Sequence, residues 1–360
     1  MSQSEFNVWC KWDPLKKALV GSCVNEKYFE HVANIEIREK LTQMIVETQQ
    51  DLDYFAQVLQ QHGVEVLRPT NDDARLDPNT KSSQVVNIQL QPRDFFFTIG
   101  TNLLPIDQEP ISLLSRYSKV LPDFNKILQK PCLSFLKMMK QNNWQVPPAP
   151  NWTLVGKDLF MDMERASTGL DPISLSIGDS TRRQIIEWAQ EWFPQIDIHW
   201  LEIGGHNDGC FHTCKPGAII SLHDIQKYHN TFPNWDILYL PDKRWDAAEG
   251  FMQAKKLTKG RYWIPGEEDN KELLTFINTW LDDWVGYVEE TVFDVNLLMI
   301  DDKTACVSKY NKDVFEFFKK HKIEPIIVPL RHRYFWDSGL HCVSLDLYRE
   351  GDCQSYINYN

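Results

Sequence analysis

Leu41, Ile45, Thr48, Leu52, Phe55 and Leu59 recur at the 3.6-residue period, which predicts an amphipathic helix with Gly63 at its stop. The segment VEVLRP then reads as a strand ending at Pro69. The same order returns in STRRQIIEWAQEWFPQIDIHWLEI, where Ser180 can cap a helix, Pro194 ends it and an alternating strand follows. A third copy is NKDVFEFFKKHKIEPIIVPL, a short helix from about Asn311 followed by the strand IEPIIVP. With KKALVG, NLLMID and TACVSK as further strands, these copies predict an α/β fold built from a recurrent β-α-β module. Such arrays place their chemistry at strand ends and in connecting loops.

No low-complexity segment, charge block or Ser/Gly linker interrupts the pattern, so residues 1–360 are expected to form a single domain. The VPPAP stretch at 146–150 is too short to separate two. Hydrophobic residues make up 42% of the chain, and 13 Trp, 12 Tyr and 19 Phe supply the large apolar surfaces of a substantial core, which excludes wholesale disorder.

The formal charge of -12, with Lys and Arg scattered along the chain, argues against a nucleic-acid partner and suits a cationic small substrate. MSQSEFNVWCKWDPL has no basic stretch followed by an apolar one, and no apolar run reaches about eighteen residues. A cytoplasmic protein without a membrane partner is therefore expected. Its eight cysteines, in that compartment, read as reduced thiols instead of a disulfide framework.

Three polar clusters fall where this pattern puts strand ends. In SGLHCVSLDLYREG, Gly339 precedes His341 and Cys342, and the alternating strand VSLDLY follows. A cysteine leaving a glycine turn beside a histidine and backbone N–H groups is expected to have an exposed sulfur and a lowered thiol pKa. The competing reading is a buried inert thiol, since cysteine is among the most buried residue types.

In EIGGHNDGCFHTCKPGAII, His206, Asp208, Cys210, His212 and Cys214 alternate behind a double glycine. On one strand, same-face neighbours two apart lie about 7 Å from each other. That is too far for ligands that each sit about 2.0–2.3 Å from one zinc, so no metal is expected. His206 as general base and Asp208 as a cation-binding acid, both facing one cleft, is the functional alternative to two surface residues. In QPRDFFFTIG, Asp94 stands at the mouth of an apolar strand, where it either holds a guanidinium through paired hydrogen bonds or turns with Arg93 toward solvent.

These clusters, in this order and together with WDPLKKALVG at 12–21, resemble the amidinotransferase branch of the pentein superfamily of guanidino-group-modifying enzymes. The likeness runs over nearly the whole chain, through GKDLF at 156–160 and FDVNLLMID at 293–301. The resemblance implies a five-bladed α/β propeller of ββαβ modules around a central cavity. It makes Cys342 the nucleophile and His206 the acid/base, with Asp94 and Asp208 clasping the guanidinium. In that family the cysteine attacks the guanidino carbon of a donor, typically arginine; ornithine leaves, and an acceptor amine captures the amidino-cysteine. The partners it implies are thus a small guanidino donor and an amine acceptor, and a homodimer stays open as the assembly. The covalent cysteine carries the group itself, so no cofactor is expected.

Two departures from the family pattern bear on the substrate. A further catalytic carboxylate is expected ten residues before the aspartate of the GKDLF-like segment, and counting back from Asp158 gives Pro148. Asn151 matches a position where related enzymes carry Asn or Asp, so the segment aligns while its acid is missing; Asp162 or Glu164 could replace it. The arginine that holds the acceptor carboxylate in glycine-using members falls at Ile225, and the serines that hold the donor carboxylate fall at Glu289 and Glu290. Two acids there repel an α-carboxylate and attract an amine, so an amine or polyamine-like substrate is expected in place of glycine. Two other outcomes stay open: a hydrolase of the arginine deiminase or dihydrolase type, and a catalytically weak guanidino-compound-binding protein.

Overall fold

A computed structural model of the chain describes residues 5–69, 90–105, 129–142, 152–165, 175–201, 207–222, 231–240 and 292–357, apart from single positions at 31, 163, 177 and 337, with isolated positions elsewhere. Its strands are β1 (Leu15–Val20), β2 (Glu65–Leu67), β3 (Phe96–Ile99), β4 (Asn102–Pro105), β5 (Trp152–Val155), β6 (Asp158–Asp162), β7 (Glu164–Arg165) and β8 (Leu175–Ser176). They continue as β9 (Asp197–Leu201), β10 (Phe211–Lys215), β11 (Ala218–Leu222), β12 (Asp236–Leu240), β13 (Leu298–Asp301), β14 (Thr304–Val307), β15 (Glu324–Ile327) and β16 (Ser344–Arg349). The α-helices are α1 (Ile35–Gln61), α2 (Lys130–Gln141), α3 (Asp179–Trp192), α4 (Asn207–Cys210), α5 (Val292–Val295), α6 (Lys312–His321) and α7 (Arg333–Trp336).

One pairing rule organises the sheets. A central strand pairs antiparallel with one neighbour and parallel with another in β16-β1-β2, β5-β6-β9, β10-β11-β12 and β13-β14-β15. The β3-β4 hairpin repeats the antiparallel half of the rule. A parallel neighbour requires a crossover, and α1, α3 and α6 supply it between β1 and β2, β6 and β9, and β14 and β15. The first sheet is closed by the far end of the chain, since β16 pairs with β1 from Leu15–Arg349 to Val20–Ser344. Asn7 reinforces the closure by donating from Nδ2 to the carbonyls of Arg349 and Gly351 at 2.7 and 3.0 Å.

The helices form where the periodicity places them. Leu41, Ile45, Leu52, Phe55 and Leu59 of α1 are buried in one apolar cluster with Tyr28, Phe29 and Trp336. Thr48 completes that stripe: its hydroxyl donates to the Met44 carbonyl and accepts from Trp336 Nε1, each at 2.7 Å. Asn34 caps α1 by accepting from the Ile37 N–H, and Gly63, at φ +79°, makes the left-handed step that ends it. Asn311 caps α6 by accepting from the N–H groups of Asp313 and Val314. Helix α3 departs from the expectation, because its cap is Gly178 and Ser180 lies inside the first turn, where its hydroxyl faces Gln184. Among the described residues no helix is long and apolar enough to cross a membrane.

A buried ionic chain ties the strands together beneath the site. Arg93 donates from Nη2 to Asp346 Oδ1 at 3.0 Å and from Nε to the carbonyls of His341 and Ser344, both at 2.9 Å. Arg349, wholly buried, donates from Nε to the other oxygen of Asp346 and from its Nη atoms to the carbonyls of Asp13 and Met299. Burial opposes the charge of Asp346, yet Arg349 and Arg93 hold its carboxyl well below the usual range.

Candidate active site

The chemistry-bearing groups stand just ahead of the first strand of four of the modules. Asp94 ends the 3-10 turn Pro92–Asp94, two residues before β3. Asp208 lies on α4, three residues before β10. Asn296 follows α5 and precedes β13 by two residues, and Cys342 precedes β16 by two. Four separate modules thus aim one polar group each at a common point, which fits the rule that function gathers at strand ends held by a rigid scaffold.

Asp208 is the hub of that point. Its Oδ2 accepts from His341 Nδ1 at 2.9 Å and from the Cys342 thiol at 3.4 Å. The sulfur in turn accepts from Asn296 Nδ2 at 3.0 Å. Asn296 Oδ1 takes the backbone N–H groups of His341 and Cys342 at 2.9 and 3.1 Å. Gly339 is required for this contact, because a Cβ there would lie 2.4 Å from Asn296 Oδ1.

The sulfur is buried, with 7% exposure, and its pKa is raised well above the ordinary thiol value by burial and then by the negative fields of Asp208 and Asp94. Both halves of the expectation for Cys342, an exposed sulfur and a lowered pKa, are therefore overturned. The physical reason is the partner of His341. That imidazole turns to Asp208 instead of the sulfur and stays neutral, its pKa brought down to about 3 by burial, with Arg93 and Lys11 adding to the shift. Among the described residues, the charges that act most on the thiol are the carboxylates of Asp208 and Asp94.

Behind Asp208 lies a cavity of about 30 Å³ at the meeting point of the modules, lined among others by Lys11, Arg93, Asp208, His341 and Asp346. It has room for about one water molecule. Lys11 Nζ and His341 Nε2 border it without a hydrogen-bond partner among the described residues. Burial lowers the Lys11 amine to about 8.

The stretch read as one alternating strand from His206 to Cys214 is two elements, the helical turn α4 and then β10. The turn re-aims Asp208 toward Cys342 and leaves His212 and Cys214 buried on the strand. Among the described residues no group of three or more His, Cys, Asp or Glu is placed to hold a metal ion. Asp208 contacts Cys342 and the charge of Asp94 acts on its thiol; His206, Asn151, Glu289 and Glu290, like Pro148 and Ile225, lie outside the described residues. The sequence reading passed over Asn296 and the Asp208 contact of His341. The signal for Asn296 was available: a polar residue two positions ahead of an apolar strand, the spacing of Asp94 and Cys342.

The N–H groups of His341 and Cys342 are both taken by Asn296 Oδ1, and that of Gly339 reaches the Cys342 sulfur. The site presents a neutral thiol among carboxylates. That is a setting for a cationic electrophile.

No family model matches the chain. It is 21% identical over 343 residues to an L-arginine:L-lysine amidinotransferase of Pseudomonas savastanoi pv. phaseolicola, covering 85% of this chain and 80% of that one. It is 21% identical over 397 residues to the mitochondrial glycine amidinotransferase of Danio rerio, covering 96% and 83%. Among solved structures, an amidinotransferase of the saxitoxin biosynthetic pathway from Microseira wollei matches with a TM-score of 0.60 at 19% identity, over 98% of this chain and 99% of that one. The inosamine-phosphate amidinotransferase of Streptomyces griseus matches with a TM-score of 0.57 at 17% identity, over the same shares. The chain is thus similar in sequence, over most of its length, to amidinotransferases, and it shares the fold of two solved ones.

Proposed function

We propose that the chain is a single catalytic domain that moves the amidino group of L-arginine to an amine acceptor through an amidino-cysteine on Cys342. The observation behind this reading is the thiol that donates to Asp208 at 3.4 Å in the field of a second carboxylate, Asp94. Two carboxylates beside an un-ionised thiol repel anions and leave a place for one delocalised cation, and the planar guanidinium matches paired carboxylates. Once bound, that cation offsets the carboxylates and favours the thiolate that must attack it. The repeated hairpin and parallel strand support a five-bladed ββαβ propeller, with the site at one end of its axis.

The sulfur bonds to the guanidino carbon, the carbon–nitrogen bond to ornithine breaks, and the thiol proton ends on the departing amine, with His206 as the acid/base that relays it. An acceptor amine then bonds to the amidino carbon and returns the electron pair to sulfur. Asn151 belongs to the strand-leading segment of the β5 module, where Pro148 replaces an acid. Glu289 and Glu290 favour an amine-bearing substrate over a second carboxylate.

Incubation with arginine and no acceptor, quenched in acid and followed by intact-protein mass spectrometry, tests the reading. The wild type is expected to gain the mass of one amidino group and Cys342→Ala none. Ornithine release that depends on added amine marks a transferase; steady ammonia release without amine marks a hydrolase. Absence of both adduct and ornithine would refute the donor assignment.

A further inference from the structure

We propose that Asn296 is a catalytic residue: its amide N–H groups hold the Cys342 sulfur against Asp208, and its carbonyl fixes the turn that presents that sulfur. The inference deepens the transfer chemistry above and rests on that reading for Cys342 as the nucleophile.

An asparagine side chain offers two acceptor sites on its oxygen and two N–H donors. All four are used here. Oδ1 accepts from the N–H groups of His341 and Cys342, while Nδ2 donates to the Cys342 sulfur at 3.0 Å and to the Asp208 carbonyl at 3.3 Å. The residue is buried at 2% exposure, and the placement of Gly339 against it leaves no room for it to move toward the turn. One side chain therefore joins the nucleophile, the backbone of the guanidinium-binding acid and the turn between them. Aspartate lacks the donors, leucine lacks both, and glutamine carries the same amide one methylene farther from the backbone.

A side chain that only locked the turn would need its carbonyl alone. The donor half points at a sulfur that faces the carboxylates Asp208 and Asp94 and also takes the Gly339 backbone N–H, so neutral N–H groups are what let a thiolate exist there without neutralising the cation site. It acts again at the second step. As the acceptor nitrogen bonds to the amidino carbon, the carbon–sulfur bond breaks, its electron pair goes to sulfur, and the proton lost by the acceptor passes to the acid/base of the site. The charge that appears on sulfur at that moment meets Asn296 Nδ2. Asn296 also completes the modular pattern, as the group delivered two residues ahead of β13 just as Cys342 is ahead of β16.

The test compares wild type with Asn296→Asp, which keeps the acceptor and removes both donors. Iodoacetamide labelling of Cys342, followed by peptide mass across pH, reads the ionisation of the sulfur without any substrate. In the variant the carboxyl loses its proton first, so the sulfur must ionise beside a new negative charge. Its labelling midpoint is expected to rise by about one pH unit or more. Ornithine release from arginine is expected to fall about a hundredfold in kcat with KM within about threefold. Should Asn296→Asp not fold, Asn296→Ser, whose hydroxyl is too short to reach the sulfur, takes its place with the same expectation. An unshifted labelling midpoint in a folded variant overturns the proposal, even if the melting temperature drops, because it would leave Asn296 a turn-former only. A wild type that labels as expected but never turns over arginine sinks the transferase reading and leaves the thiol measurement standing.

Discussion

His341 donates from Nδ1 to Asp208 Oδ2 at 2.9 Å, and both side chains are buried to within 4% exposure. The imidazole is held neutral, its pKa near 3 against an ordinary value of 6.5, with burial as the main cause. A histidine whose folded pKa is depressed contributes stability that is complete above 6.5 and is lost as pH falls toward 3, because the unfolded chain takes up the proton first. Urea midpoints measured from pH 7.5 down to pH 4 are expected to fall more steeply in wild type than in His341→Gln, which keeps an amide donor and cannot titrate. The difference amounts to several kcal/mol over that window by linkage. Parallel curves for the two proteins would show that His341 is not the group responsible.

Asp94→Asn is expected to move two measurements in opposite directions. Asp94 is among the charges that raise the Cys342 thiol, so its loss lowers the thiol pKa and speeds alkylation at pH 8. The same change removes a proposed ligand of the guanidinium, so KM for arginine rises, by about tenfold or more for a lost charge-assisted hydrogen bond. A variant that labels faster and binds arginine more weakly places Asp94 on both the sulfur and the substrate. Slower labelling would instead mean that Asp94 supports the nucleophile.

Lys11 carries the opposite sign. Burial lowers its amine from 10.5 to about 8, so the ammonium is disfavoured in the folded state and stability rises with pH between those two values. Lys11→Met removes that cost while keeping a side chain of similar length in the cavity wall. Its stabilisation at pH 7 is expected to be on the order of 2 kcal/mol and to fade toward pH 10.5. Thermal melts at pH 7 and pH 10 check this, and a variant less stable at pH 7 would mean that attraction to Asp208 and Asp346 outweighs the desolvation of the ammonium.

The repeat grammar was legible because periodicity records burial. The stripe Leu41, Ile45, Thr48, Leu52, Phe55 and Leu59 is the buried face of α1, and a strand follows Gly63 as expected, although it ends at Leu67 and not at Pro69. Asp208 and Cys342, both singled out in the sequence as polar groups ahead of apolar strands, meet in the fold at 3.4 Å. What could not be read was direction. His341 sits beside Cys342 in sequence yet faces Asp208, 133 residues away, and only the fold says so. The thiol environment was misjudged for that reason: adjacency suggested a cation at the sulfur, and the fold supplied carboxylates. The start of α3 was misplaced by the preference for a serine cap, where Gly178 serves through backbone geometry alone. Asn296 escaped because asparagine has no titration and no charge to mark it, although its position ahead of β13 matched the others.

Gly339→Ala perturbs that asparagine without replacing it. A Cβ at 339 would lie 2.4 to 2.6 Å from three atoms of the Asn296 side chain, so either the turn or the amide must shift. The hydrogen bonds at stake are the two from the turn N–H groups to Asn296 and the two to the sulfur, from Asn296 and from the Gly339 N–H. Displacing a side chain in a packed interior costs about 1–3 kcal/mol, so the variant is expected to fold with a lowered melting temperature. Its labelling midpoint should move upward in the same sense as that of Asn296→Asp, and combining the two substitutions should add little to either, because both act on one contact. Full additivity of the two effects on Cys342 labelling would show that Gly339 reaches the sulfur by a route other than Asn296.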